Sequence, residues 1–140
     1  MPKYLSPVTV VAEVNSIGRA TGSGSDLAAT TLFTTPNQGD WDLALYEVSA
    51  LVRVTTAAGA AETLTVNIIA TDTASARTIT IPFSTEAGAY AATANANAVG
   101  VYNGSIRFRA DKNTNIQYSL THSAANAGVA DIVISIRRVK

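Results

Sequence analysis

Between Trp41 and Thr71 the chain reads WDLALYEVSALVRVTTAAGAAETLTVNIIAT, and two runs within it, Leu43 to Val54 and Leu64 to Ala70, alternate apolar and polar residues. A period of two belongs to a pleated strand, whose successive side chains leave on opposite faces. In the first run Tyr46, Val48, Ala50, Val52 and Val54 share one face, while Glu47, Ser49, Leu51 and Arg53 share the other. The first set predicts a core face. The second mixes Leu and Arg with polar residues, so it predicts a surface that is either solvated or pressed against something polar and mixed, such as another subunit. The link Ala57-Ala58-Gly59-Ala60-Ala61 is small and flexible, which predicts that the two runs pair as a β-hairpin.

The same alternation recurs along the chain. Val8 to Val14, Ala29 to Thr34, Ala76 to Phe83, Val99 to Ala110, Ile116 to His122 and Ala130 to Arg137 all read as strands. Asn15 to Asp26 is dense in Gly, Ser and Asn and predicts a loop, as does the turn chemistry of Thr35-Pro36-Asn37-Gln38-Gly39-Asp40. Pro82 predicts a strand end or an edge, and Asn103-Gly104 a bulge or sharp turn. Ser84 to Ala98 is rich in Ala but carries no apolar stripe at helical spacing, so it predicts a loop with one helical turn at most. About eight strands between turn signals predict an all-β, antiparallel jelly-roll β-sandwich. Residues 1–28 form a separate stretch, an extended N-terminal arm with a short strand and a Gly/Ser loop, ahead of a jelly-roll domain at 29–140.

Ten acidic and ten basic residues balance, and charged residues are only 14% of the 140. No long-range field draws such a chain to nucleic acid or to a membrane surface. There is no cysteine, which removes disulfides, thiolate catalysis and thiolate metal sites. No apolar run approaches membrane-spanning length, and the N-terminus lacks the pattern of a signal peptide, so the sequence predicts a protein made without export.

Candidate chemistry is sparse. His122 is the single histidine and falls on the inward phase with Leu120, Tyr118 and Ile116, so it reads as a core residue. A three-fold axis, where one imidazole becomes three, is the alternative. Asp40-Trp41-Asp42 pairs two carboxylates beside a turn, where capping of backbone amides explains them. Arg107 and Arg109 on one strand face, with Arg53, Arg77, Arg137 and Arg138 elsewhere, predict intersubunit ion pairs rather than a phosphate track. No nucleotide-binding or nucleophile-elbow motif occurs. The sequence therefore predicts no enzyme, no metal and no cofactor.

The order LFTTP, LYEVSALVRVTTAA, TLTVNIIATD with TITIPF, NGSIRFRADKNTNIQYSLTH and a closing IVISIRR resembles small phage structural proteins with a tumour-necrosis-factor-like jelly roll. The resemblance covers roughly Ala29 to Val139. It implies a homotrimeric virion protein, made in the host cytoplasm, that decorates and cements the capsid surface with the major capsid protein as partner. Its alternative is a trimeric receptor-binding knob on a fibre or spike that recognises host glycans. On that footing Pro2, Lys3, Tyr4, Leu5 and Pro7 of the arm are the expected contacts with capsid or a neighbouring subunit. Tyr118, Leu120 and His122 are expected near the trimer interface.

Overall fold

The computed structural model describes residues 12–16, 26–37, 43–73, 75–84, 90–91, 93–124 and 128–139. In chain order the strands are β1 (Ala12–Ser16), β2 (Leu27–Thr34), β3 (Leu43–Thr56), β4 (Thr63–Asp72), β5 (Ser75–Thr80), β6 (Phe83–Ser84), β7 (Tyr90–Ala91), β8 (Ala94–Asn95), β9 (Gly100–Asp111), β10 (Asn115–His122) and β11 (Val129–Arg138). Eight of them have five residues or more, and the described residues include no helix. Every pairing is antiparallel. One sheet runs β1-β11-β3-β9-β6-β7 and the other β2-β10-β4-β5, with β8 on β4. Counting only the eight longer strands, this is the order of a jelly roll. Because β1 pairs with β11 from Ala12↔Ile136 to Ser16↔Ile132, the sandwich takes in residues ahead of Ala29.

The inward phase of each strand supplies the core. Val48, Val52 and Val54 on β3 and Ile132, Ile134 and Ile136 on β11 meet Leu64, Val66 and Ile68 on β4 and Ile116 and Leu120 on β10, all essentially enclosed. β-Branched side chains suit this pleated interior, and their removal from water drives the two sheets together.

The expected hairpin between Leu43 to Val54 and Leu64 to Ala70 does not form. β3 pairs with β11 and β9, whereas β4 pairs with β10 and β5 in the other sheet. Each run has its own fully apolar face, and both faces are buried only when the runs lie opposite one another. Residues 57–62 therefore arch across the end of the sandwich instead of turning within a sheet. Ala58 N donates to Ala96 O and Ala96 N to Glu62 O, which pins the arch.

Two further expectations need correction. Asn103-Gly104 neither turns nor ends a strand, since β9 runs unbroken from Gly100 to Asp111 against β3. Gly104 is there for closeness: a Cβ at that position would lie 2.0 Å from Pro82 O. The chain crosses from β5 in one sheet to β6 in the other through Ile81–Pro82, so Pro82 marks a strand end, and its corner presses on β9. Within Ser84 to Ala98, two short strands, β7 and β8, occupy part of the expected loop.

Hydrogen bonds close the end of the sandwich near Leu43. Thr35, 2% exposed, donates its hydroxyl to Asp111 O at 2.6 Å and accepts from Thr114 N at 2.8 Å, docking the chain after β2 onto the β9–β10 turn. Asn113 supplies the left-handed residue of that turn, with φ 56°. Tyr46 lies between Phe33 and Phe108, with ring centroids 5.8 and 6.4 Å away. Burial there pushes its hydroxyl pKa up, and the nearby Arg138 charge partly opposes the shift.

Candidate functional site

The outward face of the six-stranded sheet carries four cross-strand rows over β11, β3 and β9. They run Arg137–Glu47–Arg107, Ser135–Ser49–Ser105, Val133–Leu51–Asn103 and Asp131–Arg53–Val101. Each row arises because from Glu47 to Arg53 β3 pairs in unbroken register with both neighbours, so one alternating pattern stacks beside the next. The serines and Gly104 leave a shallow depression of about 340 Å³, bounded by Leu51, Ser84, Asn103 and Val133. Leu51, Val99, Val101 and Val133 are the exposed large hydrophobic residues among those described, and all lie on this face or beside its start.

The charged row at one end is internally paired. Glu47 Oε2 accepts from Arg107 Nε at 2.8 Å, and Glu47 Oε1 accepts from Arg137 Nε at 2.8 Å and Nη2 at 2.6 Å. The hydrogen bond from Arg107 holds the Glu47 carboxyl below the usual carboxylate range, with Arg137 adding to it and desolvation opposing. Arg77 makes its ion pair with Asp72 at 3.3 Å. These arginines, expected to bridge subunits, thus find carboxylates within their own chain.

At the opposite end from Tyr46 lies a sealed titratable pair. His122 Nδ1 is 2.5 Å from Glu62 Oε1, and Gly128 N donates to Glu62 Oε2 at 3.1 Å. A Cβ on Gly128 would meet that oxygen at 2.7 Å, so any larger residue there would have to displace the carboxylate. Asp26 Oδ1 accepts from His122 N at 2.8 Å, while His122 Nε2 has no hydrogen-bond partner among the described residues. The sequence pattern placed His122 inward but gave no sign of Glu62, which ends a linker that reads as flexible.

Tyr118, Leu120 and His122, expected at a trimer interface, are 3%, 0% and 8% exposed. Their side chains face the other sheet of the same chain, so they present no surface to a second copy. Pro2, Lys3, Tyr4, Leu5 and Pro7 lie outside the described residues, as does the Asp40-Trp41-Asp42 carboxylate pair. Among the described residues no cluster of three metal-ligating side chains forms. The aromatic rings described, Phe33, Tyr46, Phe83, Tyr102, Phe108 and Tyr118, are in the core or packed against it, so none of these six stands on an outward sheet face for stacking on a sugar.

No family model matches the sequence, and no curated relative matches it. Among solved structures, the CBM22-1 and GH10 modules of the Clostridium thermocellum N-terminal endo-1,4-β-D-xylanase 10B, complexed with xylohexaose, are similar over 97% of this chain, at 18% identity and a TM-score of 0.52. The chain spans 25% of the length of that protein. At this identity the likeness concerns the fold, and it agrees with a jelly-roll-like β-sandwich.

Proposed function

We propose that this chain is a non-catalytic structural protein that acts by association, decorating the outside of a phage capsid as a self-associated module. The observation that supports association is the gathering of Leu51, Val101 and Val133 on one sheet face beside rows of serine and charge, with Val99 just ahead of β9. Apolar surface of this kind is worth about 25 cal/mol per Å² when covered, and small-residue neighbours let a facing surface approach closely. The capsid setting is supported by the sequence resemblance of Ala29 to Val139, with the major capsid protein as partner and a homotrimer as the assembly it implies. A decoration protein binds only the assembled shell and stabilises it by mass action. Immunogold labelling of virions grown from the genome that encodes the chain tests this reading. Label on the capsid surface is the expected result, and virions free of the protein would overturn it.

The second reading is carbohydrate recognition, favoured by the likeness to a xylanase structure holding xylohexaose. The lack of outward-facing rings among the described residues weighs against it. Calorimetric titration with xylohexaose and with a panel of host-surface glycans separates the two, since a decoration protein gives no heat with either.

A further inference from the structure

The four rows on the outward face of the six-stranded sheet have an internal symmetry. Along β3 the charged rows stand at Glu47 and Arg53, the serine row at Ser49 and the apolar row at Leu51, so the set is centred on Ala50. We propose that this face packs on the same face of a second copy, through a two-fold axis in the interface plane, perpendicular to β3 at Ala50. The inference rests on the self-association proposed above and puts a two-fold dimer in place of the trimer that the resemblance implies.

Such an axis lays each strand over its own copy in the reverse direction. Arg53 then faces Glu47 of the second copy, and Asp131 faces Arg137 of the second copy, so opposite charges meet at both ends of the β3 and β11 columns. In the middle, Leu51 faces Ser49 and Val133 faces Ser135, so each large side chain sits over a small one. The depression of about 340 Å³ beside Ser49 is where Leu51 of the second copy would enter. On β3 and β11 charge and size therefore match under one operation, the self-complementarity that an isologous interface requires, while on β9 the same axis sets Ser105 over Asn103 and Arg107 over Val101. Aligned sheets keep their strand directions within about 30° of each other, and this axis sets β3 antiparallel to its own copy. At about 4.8 Å between strands and 3.3 Å per residue, the 41 residues of β1, β11, β3 and β9 offer roughly 650 Å², somewhat under the ~800 Å² per partner of a standard interface. A three-fold axis would set this face against a different surface and leave the match unused.

Charge reversal with mixing tests the proposal. In Asp131→Arg, two arginines meet across the axis, and in Arg137→Asp two aspartates meet. Each variant alone should dimerise at least tenfold more weakly than wild type. Their equimolar mixture should recover a heterodimer within a few-fold of wild-type affinity, since both crossed contacts are then attractive. Native mass spectrometry with isotope labelling of one variant reads the outcome, and circular dichroism confirms that both fold. A wild-type trimer would overturn the two-fold axis while leaving self-association standing. A wild-type monomer at all concentrations would overturn both. Variants that dimerise as well as wild type, or a mixture that stays monomeric, would place the contact elsewhere.

Discussion

His122 Nδ1 and Glu62 Oε1 lie 2.5 Å apart with neither side chain exposed, a buried polar pair at one end of the sandwich. It joins the arch after β3, the end of β10 and, through Gly128 N, the start of β11. Three separate segments of the jelly roll are held at one carboxylate.

Removing one member of a buried pair leaves the other without compensation, at a loss of about 3–5 kcal/mol. Glu62→Ala should therefore lower the unfolding free energy by about that amount in a urea titration. Replacing Glu62 and His122 together by Leu should cost less than Glu62→Ala alone, because no polar group is then stranded. Additive losses would show that the two residues act independently.

Gly104→Ala should destabilise the protein by about 1–3 kcal/mol or more, the range for overpacking, since its Cβ would fall 2.0 Å from Pro82 O. Backbone, rather than a flexible side chain, is in the way. Gly59→Ala is the control, as nothing lies within 4 Å of the added carbon. Equal melting temperatures for both variants would contradict the close approach of the β5–β6 corner to β9.

Thr35→Val keeps the shape of a buried residue and removes its hydroxyl. Thr114 N would lose its acceptor and Asp111 O one of its donors. A loss of about 1–3 kcal/mol is expected, measured by thermal or urea unfolding. An unchanged midpoint would mean that this network contributes nothing net.

The lowered Glu47 pKa gives a sign for acid sensitivity. A carboxyl depressed in the folded state contributes stability that is fully present above its unfolded value, about 4.3, and is lost as pH falls through the folded value. The pair is at the surface, so the contribution is at most about 1 kcal/mol. Unfolding free energy should fall less between about pH 6 and about pH 3 in Glu47→Gln than in wild type. The same slope in both proteins would contradict the Arg107–Glu47–Arg137 network.

Local alternation made the strands legible, because the inward phase Tyr46-Val48-Ala50-Val52-Val54 needs only neighbours two residues away. It could not assign strands to sheets. The Ala57 to Ala61 link looks the same whether it turns within a sheet or arches between two, and only the need to cover both apolar faces decides. Glu62 and His122 stand 60 residues apart, and nothing near Glu62 announces a buried carboxylate. Gly104 was legible as special but not as a site of close approach, since Pro82 touches it from the β5–β6 corner. The outward set Glu47, Ser49, Leu51 and Arg53 was readable as a mixed surface, while its matching rows on β9 and β11 required the register of three strands.

Sedimentation velocity across a dilution series, on wild type and Leu51→Arg, bears most directly on the outward face of the six-stranded sheet as the association surface. Wild type should sediment as a particle of twice the 14.5 kDa chain, dissociating on dilution, and Leu51→Arg as a single chain. A wild-type protein that sediments as one chain at every concentration, or a Leu51→Arg variant that associates as wild type does, would contradict it.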